Sequence, residues 1–151
     1  MHSENINTTL IDIEGIKQII PHAFPLLLVD RVTKIDLNHS IEAYKNITAN
    51  EFIFQGHFPA RSVYPGVYTL EGLAQVSTIL AFKSLGLDNN SLVYFAGIDN
   101  VKFKKPVVPG DKLVYRCEII KMRSKLVILD TKAFVDEEIV ATASIKASLA
   151  S

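Results

Sequence analysis

The chain has 151 residues, 48% of them apolar, and its sixteen Lys and Arg balance sixteen Asp and Glu. That length suits one domain (1–151) with a single core, and a mean hydropathy of +0.22 stands above that of a solvated, disordered chain. The even charge removes the global footprint of a nucleic-acid binder, and no apolar run approaches the ~18 residues of a membrane span.

Residues 1–8 are polar and read as a flexible tail without a secretory signal. The single cysteine, Cys117, rules out an internal disulfide and suits a reducing compartment. A cytoplasmic protein is the simplest reading. Residues 11–20 place apolar side chains at 13, 16, 19 and 20, a short amphipathic helix that Pro21 ends. Leu26, Leu27, Leu28 and Val29, then Arg31, Val32 and Lys34, read as a strand entering from the Phe24-Pro25 corner. Residues 41–47 read as a second strand after a turn at 38–40.

Residues 51–64 show no clear period and read as an ordered loop. From Gly66 to about Leu85 apolar residues occupy most faces, which predicts a central, buried helix about 30 Å long at ~1.5 Å per residue. Gly86 supplies its C-terminal cap. Strands follow at 92–98 and 101–105, then a turn at Pro109-Gly110-Asp111. Beyond it Leu113, Tyr115, Cys117 and Ile119 alternate with more polar neighbours. A strand at 126–135 turns back at 136–138. In the last strand Ile139, Ala141, Ala143, Ile145, Ala147 and Leu149 are expected to face inward. The order predicts an α+β layer architecture, an antiparallel sheet wrapped around one long helix.

The chemistry-bearing residues cluster in 55–75, QGHFPARSVYPGVYTLEGLAQ. His57 reads either as a loop histidine satisfied by a backbone carbonyl or as one member of an acid–base pair across an apolar pocket. Glu71 sits among Val67, Tyr68, Leu70, Leu73 and Ala74. On a buried face it is costly unless paired or protonated; on a solvated face it needs no explanation. Gln75, one turn on, is in reach of its carboxyl. Gly66 opens the helix after Pro65, so its N–H is free for an anion or a polarised carbonyl, or the pair is a plain loop-to-helix turn. His22 and His39 keep the structural reading, and His2 lies in the tail. No zinc-type His/Cys spacing, glycine-rich phosphate loop or GxSxG elbow occurs, so neither a metal nor a nucleotide cofactor is expected.

Together these segments closely resemble the FabZ-type β-hydroxyacyl-(acyl-carrier-protein) dehydratases of bacterial fatty-acid synthesis. The likeness spans PHAFPLLLVDRV (21–32), KNITANEFIFQGHFP (45–59), YPGVYTLEGLAQ (64–75) and YFAGIDNVKFKKPVVPGD (94–111). It implies a hot-dog fold, a homodimer that assembles further into a trimer of dimers, and acyl carrier protein as the partner. It also implies that His57 of one subunit meets Glu71 of the other. His57 is then the base, Glu71 the proton donor and the Gly66 N–H the thioester oxyanion contact, with no cofactor. An apolar tunnel for the acyl chain is expected to involve Phe58, Tyr64, Val67, Tyr94 and Phe95. For Lys102, Lys104, Lys105, Arg123 and Lys125, a basic rim steering the acidic carrier protein and ordinary solvated strand charge stand as equal readings.

The sequence departs from the family pattern at Ala23 (usually Arg), Ser62 (commonly Pro) and Tyr64 (commonly a smaller apolar residue). These departures touch substrate fit and partner choice rather than the catalytic pair, and suit a paralogue in a specialised lipid or polyketide pathway. The leading expectation is dehydration of a (3R)-3-hydroxyacyl-carrier-protein to the trans-2-enoyl form. The alternatives are a non-catalytic subunit that binds carrier protein or an active partner, and an acyl thioesterase.

Overall fold

The computed structural model describes residues 9–149; the tail expected at 1–8 lies outside them. Helix α1 (Ile13–Ile19) begins where the Asp12 side chain accepts from the Gly15 N–H at 3.0 Å, and it buries Ile16 and Ile19. Strands β1 (Arg31–Asp36) and β2 (Ser40–Asn46) follow, then a 3₁₀ turn over Phe52–Gln55 inside the expected loop. Helix α2 spans Gly66–Leu85. Strands β3 (Val93–Phe103), β4 (Lys112–Arg123), β5 (Leu126–Val135) and β6 (Glu138–Leu149) complete the chain.

All six strands form one antiparallel sheet in the order β1-β2-β4-β5-β6-β3. One face is apolar because residues alternate along each strand: Leu113, Tyr115 and Cys117 of β4, Val127 and Leu129 of β5, and Ile145 of β6 are all buried. Against that face lies α2, whose residues 72–82 are buried on every side. This is the hot-dog arrangement. Two hydroxyls of α2 are satisfied locally: Ser77 and Thr78 each donate to the carbonyl one turn back, at 2.8 and 2.9 Å. Such bonds remove the cost of burying an unpaired polar group. At the far end Gly86 takes φ +70° and donates to the Phe82 carbonyl, a left-handed cap that glycine adopts without a Cβ penalty.

Three expectations change. Residues 26–29 are not strand; β1 starts at Arg31. Their backbone groups are taken by side chains instead: Leu28 N–H donates to Gln75 Oε1 at 2.9 Å, Gln75 Nε2 donates to Leu26 O at 2.6 Å, and Tyr115 Oη donates to Leu28 O at 2.9 Å. The segments at 92–98 and 101–105 are one strand, β3, kept continuous by irregularities between Phe95 and Gly97 and between Asp99 and Lys102. In β6 the inward alternation starts at Ala141, with Val140 buried and Ile139 only partly so, because the β5–β6 register shifts at Ala133/Phe134.

Candidate active site

His57 follows the 3₁₀ turn, its N–H bonded to the Ile53 carbonyl at 3.0 Å. Its Nδ1 lies 2.7 Å from the Val63 carbonyl oxygen, and Val63 N–H returns a bond to His57 O at 3.1 Å. A carbonyl only accepts, so Nδ1 carries the proton and Nε2 presents a lone pair. The backbone bond that the structural reading of His57 requires is therefore present. It occupies one ring nitrogen and leaves the other free. Phe58 stacks on the imidazole, ring centroids 3.9 Å apart.

Next to His57 opens a cleft of about 420 Å³, lined among others by Val63, Tyr64, Gly66, Val67 and Phe103. The α2 N-terminus forms one wall. No side chain caps it, and Tyr68 is the first amide to reach the Pro65 carbonyl. The Gly66 N–H precedes it, at the positive end of a 20-residue helix. A Cβ on Gly66 would stand 2.7 Å from Phe103 Cε1, so the aromatic ring rests against the helix start only because this residue is glycine.

Glu71 does not line that cleft. Its side chain keeps 27% of its surface exposed, more than a buried helix face predicts. Oε1 accepts from Gln75 Nε2 at 3.0 Å, which bears out the reach between the two, and Gln75 itself has no exposed surface. The other neighbour is His22, with Nε2 3.6 Å from Glu71 Oε1 and Nδ1 buried without a partner. Burial lowers the His22 pKa below the usual histidine range, and the nearby Glu71 charge opposes that shift. Sequence reasoning passed over this residue. Its only signal was membership in the Pro21-His22 segment.

The remaining predicted residues divide. Tyr64 and Val67 line the cleft and Phe58 borders it through His57. Tyr94, 61% exposed, and Phe95 lie at the opposite end of β3, paired with Ser148 and Ala147. Lys104 and Lys105 belong to the cleft wall, and Lys105 pairs with Glu138. Lys102 lies on β3, two residues before Lys104, which follows the strand's end. Lys125 is at the other end of the sheet: its carbonyl accepts from Leu149 N–H, whereas Lys104 N–H donates to Val140 O. About nine residues of β6 at ~3.3 Å each separate those contacts. Within the chain the five cations, Arg123 included, do not form a single rim. Tyr64 is buried with its hydroxyl unpartnered, and burial raises its pKa.

No helix among the described residues is long and apolar enough to cross a membrane. Residues 20–144 match the FabA-like domain. The chain is 52% identical over 146 residues to the 3-hydroxyacyl-[acyl-carrier-protein] dehydratase FabZ of Wolinella succinogenes, covering 93% of this chain and 97% of that one. It is 50% identical over 145 residues to the FabZ of Campylobacter fetus, covering 93% and 98%. Among solved structures, the dehydratase heterocomplex ApeI:P from Xenorhabdus doucetiae superposes with a TM-score of 0.74 at 14% identity, over 90% of this chain and 91% of that one, a likeness of fold. With its hot-dog architecture and near-full-length identity of about half, the chain belongs to the FabA-like family, among its FabZ-type dehydratases.

Proposed function

We propose that the protein dehydrates (3R)-3-hydroxyacyl-[acyl-carrier-protein] to the trans-2-enoyl form in fatty-acid biosynthesis. The observation that carries this reading is the His57 geometry: with Nδ1–H bonded to Val63 O, Nε2 is the free ring nitrogen of a residue that lines the same cleft as Gly66. The thioester oxygen accepts from Gly66, which stabilises enolate-like charge and acidifies C2. His57 Nε2 takes the C2 proton, the C2–H electrons become the C2=C3 bond, and the C3–O bond breaks. Glu71, protonated in the substrate complex, gives its proton to the departing hydroxyl, which leaves as water. Each proton transfer contributes about 10²–10⁴-fold. His57 and Glu71 then return to their starting states by proton exchange through solvent. No cofactor takes part.

Within a subunit Glu71 stands outside the His57 cleft, and this supports a homodimer in which each site takes His57 from one chain and Glu71 from the other. The β3 edge supports the same reading. Over 11 residues it exposes Tyr94, Phe95, Ile98, Val101 and Phe103, and such an edge is normally covered. Pairing of two β3 edges would carry Tyr94 and Phe95 toward the partner's site, where they line the acyl tunnel. The exposed Phe24, with Phe52 at a centroid distance of 6.4 Å, gives trimers of dimers an apolar contact. Lys102, Lys104 and Lys105 guide the acidic carrier protein, and the enzyme works in the cytoplasm.

Ala23, Ser62 and Tyr64 leave these groups intact, and identity of about half over 93% of the chain favours fatty-acid synthesis over a specialised pathway. Incubation with 3-hydroxyacyl-carrier-protein and mass analysis tests the reading. Loss of water is expected. Release of free acid identifies a thioesterase, and an unchanged substrate refutes catalysis. Mixing inactive His57→Ala with inactive Glu71→Gln subunits restores activity if sites are shared.

A further inference from the structure

The proton transfers proposed above make no use of His22. Its place is nonetheless fixed from both sides. Upstream, Ile19 and Ile20 are buried at the end of α1; downstream, Leu26 N–H bonds to Ala23 O and Leu28 is bound to Gln75. Gln75 also donates to Leu26 O and Glu71 Oε1. The segment carrying His22 and the amide holding Glu71 are thus one connected unit.

The proton on His22 follows from its two nitrogens. Nδ1 is buried and unpartnered, and Nε2 faces Glu71 Oε1 at 3.6 Å. A proton on Nδ1 would bury an orphan N–H and set a lone pair against the carboxylate. A proton on Nε2 leaves only an unpaired lone pair and turns a donor toward the carboxylate. A doubly protonated ring would bear the desolvation that already lowers its affinity for a proton. The neutral Nε2–H form follows. At 3.6 Å the contact is longer than a formed hydrogen bond, and such contacts in unliganded sites commonly tighten in the substrate complex.

We propose that His22 is a positioning residue for Glu71: its Nε2–H and the Gln75 amide both converge on Oε1, so that Oε2 is the oxygen left to exchange a proton with substrate. The role is distinct from that of His57, since His22 acts only through Glu71. Its kinetic arm rests on the dehydratase reading; its geometric arm does not. The groups facing Glu71 are His22 from the segment after α1 and the neutral Gln75 from its own helix, joined in the proposed dimer by His57 of the second chain.

The test uses full-length His22→Phe, which keeps a ring and removes the donor, and His22→Gln, which restores an N–H. Kinetics on 3-hydroxyacyl-carrier-protein are combined with the ¹³C chemical shift of the labelled Glu71 carboxyl in the free protein at one fixed pH. His22→Phe is expected to lower kcat about tenfold with KM little changed, as loss of a transition-state contact does. It also moves the Glu71 carboxyl resonance, because a donor facing Oε1 is gone. His22→Gln is expected to recover most of both. Wild-type kcat in His22→Phe, a KM effect alone, or an unmoved Glu71 resonance overturns the proposal. If the unmodified protein fails to dehydrate the substrate, the functional reading fails and the Glu71 resonance alone decides this one.

Discussion

Gly72 lies directly beneath Tyr115. A Cβ at position 72 would fall 2.3 Å from the Tyr115 hydroxyl and 2.5 Å from Cζ, closer than van der Waals contact allows. Tyr115 cannot move aside cheaply, because it is fully buried and its hydroxyl donates to Leu28 O at 2.9 Å. Gly72→Ala is therefore expected to destabilise the protein by about 1–3 kcal/mol or more through overpacking, read as a lower urea midpoint. Tyr115→Phe should not rescue it, since ring atoms remain within 2.7 Å. A variant as stable as the parent would show that α2 can slide away from β4.

Gln75 uses its whole amide: two bonds tie the 26–28 backbone and a third reaches Glu71. Gln75→Leu keeps the volume and leaves the buried Leu28 N–H and the part-buried Leu26 O without those partners. At about 1–3 kcal/mol for a buried unsatisfied group, with the part-buried carbonyl adding less, the expected loss is roughly 1–3 kcal/mol in chemical unfolding. Because Glu71 also loses its fixed donor, kcat should fall even at temperatures where the variant is fully folded. A stability loss with unchanged kcat would separate the clamp from the chemistry.

The contact between Gly66 and Phe103 yields a different outcome. Phe103 closes β3 and faces the open cleft rather than the packed core, so its ring can give way. Gly66→Ala should leave the melting temperature within a few degrees while displacing the ring across the cleft, raising KM for the acyl substrate. Gly66→Ala with Phe103→Ala should lower KM again. If the double variant stays as impaired as the single one, the Cβ interferes with the thioester contact itself rather than through Phe103.

Sequence periodicity located α2 well because both of its ends are chemically marked, by Pro65-Gly66 and by the left-handed Gly86, and because its middle is apolar all round. Alternation located β4 for a similar reason: Leu113, Tyr115 and Cys117 all face α2. The Leu26–Val29 run failed as a strand because an apolar run signals burial and says nothing about which groups satisfy the backbone. Here Gln75 and Tyr115 do so from 47 and 87 residues away. His57 and Gly66 were readable from the motif together with the helix start, and the structure sets both on one cleft. His22 was missed because its significance is a contact with a residue 49 positions later; Tyr94 and Phe95 were named from the resemblance, and the tunnel role expected of them depends on what covers the edge strand that carries them.

His22 also sets an expectation for pH. Its folded pKa is lowered, chiefly by desolvation, from the ordinary value of 6.5. Between the folded and unfolded values the unfolded chain therefore binds more protons, and stability rises with pH across that window. The contribution of the neutral ring is complete above about 6.5 and is lost as pH falls from there through the folded value. Glu71 opposes the shift, so removing its charge with Glu71→Gln should deepen the loss. Urea unfolding of the parent and of His22→Phe, measured from pH 7.5 to 5, provides the comparison. The parent should lose stability on acidification more steeply than His22→Phe, with the curves diverging below about pH 6.5. Parallel curves would mean that His22 is as easily protonated in the folded protein as in the unfolded chain, and that its ring does not sit desolvated against Glu71.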